Sequence, residues 1–264
     1  LEHNGMSEDR SVSFLIYGAS KSGKSTLSVT SPAPRLYMDV EAASRFLPIK
    51  RIDWNPAKSA PPEADGSWDT CVVPTRSWDT VQKAYQWLAS GKHPFNSFII
   101  DSISELQQRY IEGISGRSQL QLQQWGDAFR EVAGLIRDIR DLTVHPTKPL
   151  ECVVLTSMAK NRDGMWGPFV QGQLQDVMPY FLDLTGYLYV EMEQEGDELV
   201  EKRRLLTRRT SQFEAGQRLG GKIPPVVDDP NLEALIEKVF PLPVPEEPSD
   251  KAILEAAGVT KEDT

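Results

Sequence analysis

Val12-Ser13-Phe14-Leu15-Ile16-Tyr17, running directly into Gly18-Ala19-Ser20-Lys21-Ser22-Gly23-Lys24-Ser25-Thr26, decides the fold of this chain. The first six residues read as a buried strand. The next nine satisfy the pattern G-x-x-x-x-G-K-[ST]. From Thr26 to Val29 a helix begins, and it must end before Pro32. A strand that passes through a glycine-rich turn into a helix N-terminus aims several backbone N–H groups at one point, where the helix dipole also favours negative charge. Lys24 adds a mobile cation for the outer phosphates of a nucleoside triphosphate, and the Ser25 hydroxyl suits Mg²⁺. The loop from Gly18 to Thr26, including Ala19, Ser20, Lys21, Ser22 and Gly23, is expected to cradle that nucleotide.

Two further strand ends supply carboxylates. Phe98-Ile99-Ile100-Asp101 is an apolar run that stops on an acid, and Asp101 is the expected partner of Ser25 around the metal. Hydrolysis also needs a group that activates water, a poor nucleophile at neutral pH. Asp101 is followed by Ser102, so that group must come from elsewhere. Arg35-Leu36-Tyr37-Met38-Asp39-Val40-Glu41 reads as the strand after the first helix, and Glu41 at its tip is the candidate. Ligands in open α/β sheets gather at such strand ends. Asp39 is a lesser candidate, pointing the same way if the strand persists. A helix-capping role for Glu41 is the competing reading. Thr156, closing a strand over 151–156, is a candidate to sense the terminal phosphate, with capping of the following turn as the competing reading.

The remaining segments alternate between strand and helix. A short strand covers 70–73, Ser77 caps a helix over 78–89 closed by Gly91, and a helix follows over 104–114. A long helix runs over 120–142 with Trp125, Phe129, Val132, Ile136 and Ile139 on one stripe. Residues 55–66 and 158–173 read as loops. A helix over 174–182 precedes a hairpin with strands near 187–193 and 199–207. The alternation predicts an α/β fold, a mostly parallel sheet flanked by helices, with an antiparallel hairpin extension towards the C-terminus.

The chain divides into residues 1–10, an N-terminal tail in which the stretch before Met6 reads as an appended leader, a domain over 11–240, and an acidic, Pro-rich tail over 241–264. That tail carries six acids against two lysines and one short helix over 251–257. At 264 residues with a formal net charge of −9, the protein as a whole repels nucleic acid, so any such contact needs a local basic surface. Residues 201–222 provide one, with seven Lys/Arg against two Glu. The two cysteines, Cys71 and Cys152, lie in apolar runs and read as buried thiols of a cytoplasmic protein. No apolar run approaches a membrane span, so no membrane partner is expected. Three histidines without a spacing pattern argue against zinc.

With the phosphate loop, the Met38-Asp39-Val40-Glu41 strand end, Ile99-Ile100-Asp101-Ser102, Trp125-Gly126 and Phe213-Glu214-Ala215-Gly216-Gln217-Arg218-Leu219-Gly220, the chain resembles the phage-encoded RecA-like P-loop ATPases. These are often labelled AAA-family ATPases, and some are single-strand annealing proteins. The resemblance implies a RecA-like core that binds ATP and Mg²⁺ and acts as a homo-oligomer on single-stranded DNA in recombination or replication, alongside single-strand binding or replication proteins. It places the DNA contact on the 158–173 loop, with Lys160 and Arg162 meeting phosphates and Trp166 and Phe169 stacking on bases. It also suggests Arg208 and Arg209 as cations that reach a neighbour's terminal phosphate. Two departures stand beside it. Few residues precede Val12, so a filament joined through a leading segment is not expected, and Met158 lies where such proteins usually carry a histidine. A small-molecule kinase and a nucleotide-gated, loader-like module with slow turnover are the alternatives. Both are separable from a DNA-stimulated ATPase by turnover measured with and without oligonucleotide or acceptor.

Overall fold

The computed structural model describes residues 10–241 apart from 117 and 197. The elements in chain order are β1 (Val12–Gly18), α1 (Lys24–Ser28), β2 (Arg35–Asp39), β3 (Arg51–Asp53), β4 (Thr70–Pro74), α2 (Trp78–Ala89), β5 (Ser97–Asp101), α3 (Ile103–Ser115) and α4 (Leu122–Asp141). They continue with β6 (Cys152–Arg162), β7 (Met165–Phe169), α5 (Leu174–Phe181), β8 (Leu184–Glu195), β9 (Glu198–Leu206), β10 (Gly216–Gln217), β11 (Val226–Asp228) and α6 (Leu232–Val239).

One sheet organises them in the order β11-β9-β8-β1-β6-β5-β2-β4-β3, with β7 beside β6 and β10 beside β8. The six pairings from β8 across to β3 are parallel, and β9 and β11 continue the sheet antiparallel. The expected α/β sheet with its antiparallel extension is therefore present. Strand β1 sits centrally and is buried at every residue, which is why its sequence is a near-continuous apolar run, interrupted by Ser13, rather than an alternation. Helices α2, α3, α4 and α5 cover one face over a core that includes Leu15, Met38, Phe98, Ile136 and Leu155. Helices α1 and α6 cover the other, over Phe14, Ile16, Val72, Val154 and Leu235. Cys71 and Cys152 are free thiols within these cores. The α4 stripe behaves as read: Val132, Ile136 and Ile139 are fully buried, with Phe129 packed at the margin. Among the described residues no helix is long and apolar enough to cross a membrane.

Several expectations need correction. Residues 158–169 are not a loop but the hairpin β6–β7, in register from Met158↔Phe169 to Arg162↔Met165. Its turn is Asp163-Gly164, both at positive φ (50° and 90°), the two-residue turn whose twist suits a hairpin. Strand β2 stops at Asp39; Val40 N–H still reaches Asp101 O at 3.0 Å, and then Ala42 at φ 58° turns the chain. Ser77 precedes α2 as expected, but its hydroxyl meets Thr80 Oγ1 at 3.0 Å instead of capping the backbone. Helix α6 was missed, although Asn231 caps it through Ala234 N–H and Leu232, Leu235, Ile236 and Val239 all bury. The predicted helix over 251–257 and the acidic tail lie outside the described residues.

Candidate active site

The phosphate loop joins the tip of β1 to α1, and two glycines there have distinct physical reasons. Gly18 is pressed by the neighbouring strand: a Cβ on it would lie 2.3 Å from Leu188 O. Gly23 holds φ 95° immediately before the helix, a left-handed conformation that glycine adopts freely. No side chain caps α1, so the first-turn N–H groups remain available to an anion. Lys24 Nζ donates to Gly18 O at 3.1 Å and Ala19 O at 2.8 Å, folded across the mouth of the loop. Burial pushes its ammonium below the usual lysine range, while Asp101 and Glu41 pull the other way. Two carboxylates are thus close enough to influence the loop cation.

The sheet brings those carboxylates together. Strands β2 and β5 are neighbours with Asp39 opposite Asp101, so Glu41, two residues further, stands above the end of β5. Ser102 Oγ donates to Glu41 Oε1, and the same Ser102 oxygen caps α3 by accepting from Glu105 N–H at 3.3 Å. Glu41 is thereby anchored to the segment that carries Asp101. Asp101 itself accepts from Tyr37 Oη and from Thr156 Oγ1, one donor on each oxygen. Burial and the adjacent Asp101 push the Tyr37 phenol up, so it stays a donor. Thr156 arrives on β6, the strand between β1 and β5. Asp39 has other work: it accepts from Ala43 N–H at 3.0 Å and from Ser44 Oγ, capping the turn that presents Glu41.

The loop residues Gly18–Lys21 and Gly23–Thr26, with Glu41 and Asp101, line one cavity of about 600 Å³. Ala43, Phe46, Leu47, Met158, Ala159 and Arg203 complete its wall. Ser25 Oγ and the Asp101 carboxylate form a hard, all-oxygen pair suited to Mg²⁺. The set lacks the nitrogen and sulfur ligands that would favour zinc; no cluster of three His, Cys, Asp or Glu that could enclose a metal occurs among the described residues.

Other expected site residues disperse. In the β6–β7 register Lys160, Arg162 and Phe169 share one face and Trp166 lies on the other. Lys160 Nζ lies 4.7 Å from the centre of the Phe169 ring. Arg162 is tied to Pro168 O at 3.0 Å and Asp176 at 3.5 Å. Trp166 keeps 38 % of its surface exposed. Tyr17, the residue before Gly18, donates its hydroxyl to Trp166 O (3.0 Å) and Glu214 O (2.7 Å), fastening the hairpin to the strand of the phosphate loop. Arg208 and Arg209 are exposed beyond β9 and do not line the loop cavity of their own chain. Arg209 lines a separate cavity of about 380 Å³ with Asp183, Glu214 and Arg218. Arg203, within the basic stretch but not singled out from sequence, does reach the loop.

A strand–loop–helix phosphate cradle at a parallel sheet's carboxyl edge, with two acids beside it, defines a P-loop nucleotide-binding protein of the ATPase class. The profile of the AAA domain family matches residues 10–219, and the chain belongs to that family. Among curated proteins no match is found.

Proposed function

We propose that the chain hydrolyses ATP in the cavity under the phosphate loop, with Glu41 as general base, and couples turnover to single-stranded DNA at the β6–β7 hairpin. The observation that carries the reading is the convergence of Lys24, Ser25, Glu41 and Asp101 on one cavity. The loop amides and Lys24 hold the phosphates. Glu41 takes a proton from water as its oxygen bonds the terminal phosphorus; the bond to the bridging oxygen breaks, and ADP leaves with that electron pair. Ser25 and Asp101 would hold Mg²⁺, which neutralises phosphate charge. Thr156 and Tyr37 fix the Asp101 carboxylate, and Ser102 aims that of Glu41.

The DNA half is supported by the exposed Lys160 and Trp166 and by the Tyr17 hydroxyl, which links the hairpin backbone to the residue preceding the loop. Arg208 and Arg209, which do not line the phosphate-loop cavity of their own chain, suit a cation donated to a neighbouring copy in a homo-oligomer. The test is ATP turnover with and without oligonucleotide. Lys24→Ala should abolish turnover, and Lys160→Ala/Trp166→Ala should remove DNA stimulation while sparing the basal rate. Intact turnover in Lys24→Ala refutes the ATPase reading; an unstimulated parent enzyme refutes the DNA half.

A further inference from the structure

We infer that Arg203 is a nucleotide ligand supplied by the same chain, gripping the inner α- and β-phosphates rather than the terminal one. A Cβ built on Gly23 would fall 3.0 Å from Arg203 Nε, 3.2 Å from its Cδ and 3.6 Å from its Cζ. The guanidinium therefore lies directly over the loop's second glycine and lines the same cavity as Lys24 and Ser25. Its placement follows from the hairpin. Val190 faces Arg203, and Leu205, two residues on, is buried with Leu27 of α1, so this face of β9 looks onto the phosphate-loop helix.

The sheet order decides which phosphates it meets. Asp101 and Glu41 follow β5 and β2, on one side of β1; Arg203 comes from β9, on the other. The inference rests on the proposed reaction in one respect: Glu41 must face the terminal phosphorus. The rest of the phosphate chain then leads away from the acids, towards Arg203. A guanidinium fork matches phosphate oxygens, and its donors form charge-assisted hydrogen bonds.

Arg203 is also free to serve. Its ion pair is with Glu201 at 3.3 Å, two residues away on the same strand, with both side chains about half exposed, a weak and replaceable tie. The adjacent Arg204 is held by Glu191, Glu193 and Asp228 together, on the opposite face. Since the inner phosphates persist in ADP, the contact contributes to binding both before and after hydrolysis.

The experiment compares Arg203→Ala and Arg203→Lys with the parent chain. It measures affinity for ADP, ATP and inorganic tripolyphosphate, and kcat at saturating ATP. The expected result is a loss of about tenfold or more for all three ligands in Arg203→Ala and partial recovery in Arg203→Lys. Unchanged ADP affinity overturns the inference. So does a loss confined to the nucleotides with tripolyphosphate unaffected, which puts the guanidinium on the base. A fall in kcat with intact ADP affinity also overturns it, by assigning Arg203 to the terminal phosphate. Lys24→Ala separates the levels: normal nucleotide binding there removes the loop reading itself, whereas its loss beside an unaffected Arg203→Ala removes only this proposal.

Discussion

Glu41→Gln keeps the size of the side chain and its hydrogen bond with Ser102 but cannot accept a proton. Turnover should fall by about 10²–10⁴-fold with ATP affinity little changed, as read by single-turnover kinetics beside equilibrium binding. Ser102→Ala leaves the carboxylate in place but unaimed, and a milder loss, on the order of tenfold in kcat, is expected. An equal loss in KM alone would show that Ser102 supports the loop instead. At this scale the placement of the loop and of Asp101 was legible, because the one follows and the other closes an apolar strand; Glu41 lies two residues past the end of β2 yet lines the same cavity. The Ser102–Glu41 contact was not legible, since it depends on β2 and β5 being neighbours. Arg203 was hidden for the same reason: 180 positions separate it from the loop glycine it covers, and nothing local distinguishes it from Arg204.

Among the elements, β1 and β8 approach so closely at Gly18 that a side chain has no room: the obstacle is the Leu188 carbonyl, a backbone atom. Gly18→Ala should therefore destabilise the fold by about 1–3 kcal/mol and weaken nucleotide binding together, measured by denaturant unfolding and ADP titration; full stability would show that β8 can yield. Most element boundaries were legible from apolar runs and breakers, α2 to the residue. The hairpin β6–β7 was misread because its Lys, Arg and Gly content suggested a loop, although the Asp163-Gly164 pair carried the turn signal. Helix α6 was overlooked between proline-containing segments despite a complete cap and apolar stripe. The two-residue β10 and three-residue β3 exist only because longer strands offer them an edge, which no local pattern announces.

At the level of the whole molecule, pH should act on stability through His93. Its ring nitrogens are enclosed, and burial, aided by the neighbouring Lys148 and His145, holds the imidazole down at about 4. The unfolded chain binds this proton near the ordinary histidine pKa, about 6.5. Its contribution is therefore fully present above about pH 6.5 and is lost as pH falls towards 4, on the order of 2 kcal/mol in all. Equilibrium unfolding between pH 7 and 4.5 should show this slope and His93→Gln should flatten it; an unchanged slope assigns the loss to carboxylates. The rims of the sheet carry one last consequence. At one rim stands β3, three residues long, and at the other β11 covers β9 only from Arg204 to Leu206. The uncovered length of β9 presents Glu198, Glu201, Lys202 and Arg203 among its six residues, and charge along an edge discourages strands of separate molecules from zipping together. The described sheet therefore disfavours growth by edge-to-edge pairing between copies at the uncovered stretch of β9.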